Sequence, residues 1–240
     1  MSTYFFFAAL PYVAFILFLV GTITRYRATG FKVSSLSSQF LEGKSLFWGS
    51  QPFHWGLMFL FFGHLIGFLF PSSVIAFNGD PVRLMIIEIT AFGFGLMVLF
   101  GLVMLIIRRF SKARIKIVTT KMDYVVYAIL ITQVVSGLWI AYFSRWGSSW
   151  FASTLSPYLK SVFVLDPQID AIAAMPLHIQ IHVVSAFVMI GIIPFTRFVH
   201  FLVYPIQYVW RSYQQVIWNW DRKTIRKPNK MVNGVRSKNN

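Results

Sequence analysis

The chain has 240 residues, of which 57% are hydrophobic and 12% are charged, about half the charged share of an ordinary soluble domain. The net charge of +15 would suit a nucleic-acid-binding protein, but the basic residues lie between and after apolar runs, as they do in loops that flank membrane spans. The absence of cysteine excludes disulfides, thiolate nucleophiles and cysteine-bound iron–sulfur clusters from this chain. The composition therefore predicts an integral membrane protein that binds no nucleic acid.

Five apolar stretches are long enough to cross a bilayer, which takes about 20 helical residues for roughly 30 Å of hydrocarbon. In chain order they are Tyr4–Thr24, Phe53–Phe70, Leu84–Ile107, Tyr124–Phe143 and His178–Tyr204. No basic residue precedes the first stretch, so we expect a retained span rather than a secretory signal. The sequence predicts an all-α membrane protein with five transmembrane helices, which we call spans one to five.

The charge of the loops predicts how these spans are oriented. The first and third loops and the segment after Trp210 are basic, whereas the second and fourth loops are neutral. Basic loops stay on the cytoplasmic side, so we expect the N-terminus outside and the C-terminus in the cytoplasm. We also expect a transmembrane domain over residues 1–210, a basic cytoplasmic tail over 211–240, and a short interfacial helix in the long fourth loop.

Four of the five histidines lie on only two spans, His54 and His64 on span two and His182 and His200 on span five. An ionisable residue inside a span is a functional candidate by default. Because the two spans run in opposite directions, His54 and His200 fall near the inner face, and His64 and His182 fall nearer the outer face. One histidine pair in each leaflet is what two stacked haems with two axial histidines each require, so these four residues are the candidate metal ligands.

The spacing of the two histidines places them on one helix face in span five but not in span two. On one continuous helix His182 and His200 would be about 27 Å apart and would share a face, because the interval makes five whole turns. His54 and His64 would be about 15 Å apart, with their rings about 80° apart around the helix axis, and helix tilt must absorb that difference. His178 is either an interfacial residue or a substitute for His182.

Glycines and arginines near the histidines would also suit a haem, although each has a simpler explanation. Gly56, Gly63 and Gly67 would leave a flat gap for the macrocycle, or would allow close packing of helices. Arginines at the inner boundary would bind the haem propionates, or would act as ordinary positive anchors. Arg197 is the best propionate candidate because it lies three residues from His200. The other candidates are Arg25, Arg108 and Arg109.

Several stretches of the chain resemble the respiratory nitrate reductase gamma subunit. They are SSQFLEG followed by FHWGLMFLFFGHLIG around span two, IRRF at the end of span three, IHVVSAFVMIGIIPFTRFVH on span five, and YFFFAALPYVA and TRYR near the start. The resemblance covers residues 4–210, and the paired histidine spacings are its most specific part.

This resemblance implies a di-haem cytochrome b with five transmembrane helices in the cell inner membrane. His54 and His200 would ligate an inner haem b, and His64 and His182 an outer one. Quinol would be oxidised near the outer haem, where Arg83 matches a basic quinol-site position of the family. Electrons would pass to an iron–sulfur beta subunit and a molybdenum alpha subunit on the cytoplasmic side, which together would reduce nitrate.

The chain departs from the family pattern in a longer basic tail, in His178 and in Glu88, which replaces an expected apolar residue of span three. Glu88 could accept a proton from quinol or form a salt bridge with Arg83. Three alternatives remain open at this point. They are a similar cytochrome that serves another complex, such as one of sulfur metabolism, a histidine-dependent transporter of protons or metals, and a passive membrane anchor.

Overall fold

The computed structural model describes residues 2–28 and 44–203, and this part of the chain is helical apart from short turns. Five of its helices are long and apolar enough to cross a membrane, which confirms the predicted number. They are Phe5–Ala28, Ser45–Leu69, Pro81–Ser111, Lys121–Phe143 and Leu177–Phe195, and they keep the names spans one to five. The SSQFLEG stretch and the predicted tail 211–240 lie outside the described residues.

Spans three and four begin earlier than the apolar stretches suggest, because each has a polar cap. Asp80 directly precedes Pro81, the first residue of span three. Its carboxylate accepts hydrogen bonds of 3.0 Å from two backbone N–H groups in the first turn of that span. At span four, the Thr120 N–H donates to the Asp123 carboxylate at 2.9 Å, and the Asp123 N–H donates to the Thr120 hydroxyl at 3.3 Å. Such caps satisfy the free N–H groups of a helix start, which a hydropathy pattern does not register.

The spans pack in the spatial order two, three, four, five, one. Spans two and three are in backbone contact at Gly101 of span three. A Cβ atom added to Gly101 would lie 2.5 Å from the backbone nitrogen of Phe53 and 2.7 Å from the carbonyl oxygen of Gly49. Small residues allow such backbone contact between membrane helices, so span two is held against span three rather than against span five.

The two ends of this bundle differ in charge. The end at which span three stops and span four starts carries the short helix Ala113–Ile117 with exposed Arg114 and Lys116, and we call it the basic end. We call the opposite end, where the long fourth loop lies, the neutral end. This asymmetry is the one that the loop charges predict.

Span five does not continue to His200 as one helix, contrary to the prediction. The successive elements from Leu177 onwards are the α-helix Leu177–Ile192, the 3-10 turn Ile193–Phe195, extended backbone at Thr196, the 3-10 turn Arg197–Val199 and the short helix His200–Val203. Pro194 has no N–H group and its ring conflicts with a preceding helical carbonyl, which explains why the helix ends here. The calculation of five whole turns and a 27 Å rise between His182 and His200 was therefore wrong.

A buried carboxylate ties this break to the start of span four. The Asp123 side chain is 7% exposed. Arg197 Nε donates to its Oδ1 at 2.8 Å, and Arg109 Nη1 lies 3.9 Å from its Oδ2. Arg197 Nη2 also donates to the carbonyl of Val118 at 2.9 Å. We call Arg109, Asp123 and Arg197 the ionic lock.

The fourth loop folds over the neutral end instead of forming a single interfacial helix. Its short helical segments are Gly147–Trp150, Phe151–Leu155, Ser156–Phe163 and Asp170–Ala173. The buried Tyr158 hydroxyl donates to the carbonyl of Phe7 in span one at 2.8 Å, and the Ser156 hydroxyl donates to the carbonyl of Gly67 in span two at 2.8 Å. Burial, with a smaller contribution from Tyr12, raises the pKa of the Tyr158 phenol above its ordinary value. The loop therefore joins spans one and two at the neutral end.

The glycine contact between spans two and three leads to a first prediction. The Gly101→Ala variant should lose about 1 to 3 kcal/mol of unfolding free energy, because its Cβ would press on backbone atoms that cannot move alone. Thermal denaturation in detergent measures the loss. The control is Gly93→Ala on the same span, where an added Cβ meets no atom within 4 Å. Equal stability of the two variants would contradict the proposed contact.

The ionic lock leads to a second prediction. The Asp123→Asn variant keeps the shape of the side chain but removes the buried negative charge that Arg109 and Arg197 face, and we expect a loss of about 3 kcal/mol. Asp166→Asn, at an exposed carboxylate of the fourth loop, should change stability by less than about 0.5 kcal/mol. Chemical denaturation of both variants in detergent tests this, and an unchanged Asp123→Asn protein would show that the lock contributes nothing.

Candidate functional site

The structure brings His54 and His200 together near the basic end. Their ring centroids are 6.0 Å apart, and the ring planes make an angle of 71°. Two imidazoles that bind one metal ion from opposite sides, through metal–nitrogen bonds of about 2 Å, have ring centres roughly 6 Å apart. The separation of these two rings therefore suits a shared metal ion, although His200 stands on a separate short helix.

Backbone carbonyls hold both rings of this pair. His54 Nδ1 lies 2.7 Å from the carbonyl oxygen of Ser50, and its hydroxyl oxygen is 3.1 Å away. His200 Nδ1 lies 2.7 Å from the carbonyl oxygen of Arg197. A carbonyl can only accept, so each Nδ1 carries the proton and each Nε2 presents a lone pair. Within the described part of the chain neither Nε2 has a hydrogen-bond partner, so both can ligate a metal.

His64 and His182 are the second candidate pair, and both lie in the halves of spans two and five that are nearer to the neutral end. His64 Nδ1 lies 2.7 Å from the carbonyl of Leu60, the same arrangement as in the first pair. The ring of Phe151, from the fourth loop, meets the His64 ring edge to face with centroids 5.3 Å apart. His64 thus also presents Nε2, and an aromatic side chain covers one side of its ring.

Side chains of span four, rather than a carbonyl, hold His182. Its Nδ1 lies 2.9 Å from the hydroxyl of Ser136, and its Nε2 lies 3.0 Å from the amide nitrogen of Gln133. The hydroxyl of Ser185 donates to the amide oxygen of Gln133. Since the amide nitrogen can only donate, the Nε2 of His182 accepts, and a metal would use the same lone pair.

His178 is engaged away from these pairs. Its Nε2 lies 2.7 Å from the hydroxyl of Ser144, at the end of span four. That bond fits an interfacial residue and gives no support to the alternative that His178 replaces His182.

Two of the three glycines named on span two lie against side chains of neighbouring elements, and the third does not. A Cβ on Gly56 would lie 2.7 Å from the Val98 side chain, and one on Gly67 would lie 2.9 Å from the Phe151 ring. These two glycines therefore serve packing. A Cβ on Gly63 would meet no atom within 4 Å, so this glycine is not needed for helix packing.

Two of the four candidate propionate arginines, Arg109 and Arg197, belong to the ionic lock, whereas Arg25 donates to the carbonyls of Pro194 and Thr196. Arg197 uses Nε for Asp123, and Arg109 also contacts the hydroxyls of Tyr127 and Thr119 at 3.5 and 3.4 Å. A propionate at Arg197 would have to share the guanidinium with Asp123. Asp123 was not predicted as a functional residue, although the pattern T-x-x-D at Thr120 is a recognisable capping box.

Arg83 and Glu88 do not form the salt bridge considered as one alternative. The Glu88 carboxylate accepts hydrogen bonds from the N–H groups of Gly147 and Ser148, at 3.1 and 2.9 Å, and so fastens span three to the fourth loop. Arg83 is exposed, with its guanidinium carbon 5.4 Å from the centroid of the Phe77 ring. Arg83 thus remains accessible at the neutral end.

Among residues 2–28 and 44–203 there is no group of three or more His, Asp or Glu side chains that could hold a bare metal ion. A haem iron takes four ligands from its macrocycle and needs only two from the protein. The paired imidazoles therefore fit a haem better than a metal held by side chains alone.

Comparison with known proteins places the chain in one family. It matches the nitrate reductase gamma subunit family over residues 3–219. It is 32% identical to the nitrate reductase gamma chain of Bacillus subtilis, across 85% of this chain and 93% of that protein. It is 29% identical to the respiratory nitrate reductase 1 gamma chain of Escherichia coli, across 88% and 96% of the two chains.

A longer relative is the nitrate reductase-like protein of Mycobacterium tuberculosis, which is 33% identical across 87% of this chain. This chain spans only 33% of that protein's length. The family match, the identities and the five apolar helices agree with one another. The chain therefore belongs to the nitrate reductase gamma subunit family, and it is a multi-pass protein of the inner membrane.

Proposed function

We propose that the chain is a membrane cytochrome b that takes electrons from quinol and delivers them to a nitrate reductase. His54 and His200 would hold one haem b, and His64 and His182 a second. The observation that carries this proposal is the pairing of His54 and His200, whose rings are 6.0 Å apart and whose Nε2 lone pairs are available. Two bound haems would supply a one-electron relay across the membrane.

The residues of the chain fix the ligands before any metal arrives. Hydrogen bonds of 2.7 Å from Nδ1 to the carbonyls of Ser50, Leu60 and Arg197 set the tautomer and the ring orientation of three histidines. In lipid such internal acceptors are needed because no water is present to accept the hydrogen bond from Nδ1. The ionic lock adds support for His200, since it holds the residue whose carbonyl accepts that bond.

The charge asymmetry of the bundle supports a proposed orientation in the membrane. We propose that the basic end faces the cytoplasm, as the distribution of Lys and Arg in membrane proteins indicates. An iron–sulfur subunit and a molybdenum subunit would dock at that end. The His54–His200 pair lies nearer to it than the other pair does, and is therefore the exit for electrons.

Quinol would react at the neutral end, next to His64. Arg83 is the basic residue exposed there and can donate a charge-assisted hydrogen bond to a quinol oxygen. Glu88 is less suited to receive the quinol proton, because Gly147 and Ser148 already donate to both of its oxygens. The same bonds weaken the transporter alternative, which needs a carboxylate free to exchange protons within a span.

Replacing the histidines one at a time tests the ligand assignment. We expect His54→Ala and His200→Ala to remove the same haem, and His64→Ala and His182→Ala to remove the other. Reduced-minus-oxidised spectra and haem stoichiometry distinguish the two haems. His178→Ala should retain both, because its ring is bonded to Ser144. A colourless wild-type protein, or loss of a haem on changing His178, would refute the assignment.

Replacing Arg83 tests the quinol site. Arg83→Gln should raise the KM for a quinol analogue roughly tenfold or more, because a charge-assisted hydrogen bond contributes about 1.5 to 3 kcal/mol. Both haems should remain in this variant. Lys160→Gln, which removes another exposed charge at the same end, is the matched control, and an equal change in KM for both would mean that only general charge attraction is involved.

A further inference from the structure

His182 differs from the other three candidate ligands in what holds its Nδ1 atom. His54, His64 and His200 each face a carbonyl three or four residues earlier in the chain. His182 instead faces the hydroxyl of Ser136, on a different span. A backbone carbonyl cannot be removed by substitution, whereas the Ser136 hydroxyl can. The hydrogen bond to Nδ1 of His182 is therefore the one that a single side-chain substitution can abolish.

We propose that Ser136 is the positioning residue for His182, fixing the tautomer in which Nε2 is the ligating atom. This inference rests on the proposed function. It concerns only the haem that His64 and His182 would share. Substitution of Ser136 should leave the haem held by His54 and His200 unchanged.

The direction of the hydrogen bonds around Ser136 supports this assignment. The Ser136 hydroxyl donates to the carbonyl of Thr132 at 2.6 Å, so its oxygen has lone pairs left with which to accept. His182 Nδ1, at 2.9 Å, is therefore the protonated nitrogen. The amide of Gln133 donates to Nε2 at 3.0 Å on the other side of the ring, which requires Nε2 to be unprotonated. Two independent contacts thus specify the same tautomer.

The position of Gln133 is fixed in turn. Its amide oxygen accepts from the Ser185 hydroxyl, which also contacts the carbonyl of His182 at 3.0 Å, and this turns the amide nitrogen towards the ring. The amide and a metal would compete for one lone pair, so the Gln133 amide must turn away when His182 ligates. The bond to Ser136 involves the opposite nitrogen and can persist after ligation.

A hydrogen bond from Nδ1 makes a ligating imidazole a stronger donor to its metal. A stronger donor stabilises the oxidised iron relative to the reduced iron. Removing the acceptor at Ser136 should consequently shift the midpoint potential of the His64–His182 haem upwards and leave the other haem unchanged. Loss of ring restraint should also alter the low-field electron paramagnetic resonance signal of that haem alone.

The experiment compares Ser136→Ala with Ser50→Ala in the membrane-bound protein. Both changes delete a hydroxyl within 3.1 Å of a candidate ligand's Nδ1, but in Ser50→Ala the carbonyl at 2.7 Å still accepts the proton. Potentiometric titration followed by visible and electron paramagnetic resonance spectra should show one shifted haem in Ser136→Ala and none in Ser50→Ala. Two unshifted haems in Ser136→Ala, or equal shifts in both variants, would overturn the proposal.

If Ser136→Ala loses one haem altogether, Ser136→Thr decides the question because threonine keeps the hydroxyl. Recovery of that haem with threonine supports the positioning role, and loss in both variants shows that volume rather than hydrogen bonding matters. Absence of any haem from the wild-type protein would count against the proposed function itself. A wild type with two haems that are insensitive to Ser136 would count against this inference alone.

Discussion

Lipid offers no water to a buried polar group, so every imidazole within the bundle needs an acceptor for its proton from the protein itself. Three of the four candidate ligands find that acceptor in a carbonyl of the preceding turn. The same bond that satisfies the proton leaves Nε2 as a lone pair facing away from its own helix. The rule that makes histidine costly in a membrane thus also prepares it as a metal ligand.

The sequence predicts the number of spans because a run of apolar residues of the right length has few other uses. It also predicts that His54 approaches His200, because antiparallel spans match residues by depth. Neither inference depends on helical detail. The break after Ile192 was missed because Pro194 sits in an apolar run that hydropathy treats as continuous, and the supposed common face of His182 and His200 was lost with it.

Polar contacts between spans could not be predicted in the same way. Asp123 precedes the fourth apolar stretch and resembles an ordinary loop residue, yet it is the carboxylate on which Arg109 and Arg197 converge. Ser136 and Gln133 lie three residues apart, which puts them on one side of span four, but nothing in the sequence says that His182 faces that side. Glu88 was noticed as an unusual residue, and only the fold reveals that its partners are backbone N–H groups of the fourth loop.

The interruption of span five has a mechanical consequence. If span five were one continuous helix as far as His200, a tilt of its half near the neutral end would displace its half near the basic end in the opposite direction. The extended backbone at Thr196 interrupts this helix. The ion pair between Arg197 and Asp123 holds the segment after the interruption against span four. A displacement of the helix Leu177–Ile192 would therefore not be transmitted to His200 along one continuous helix.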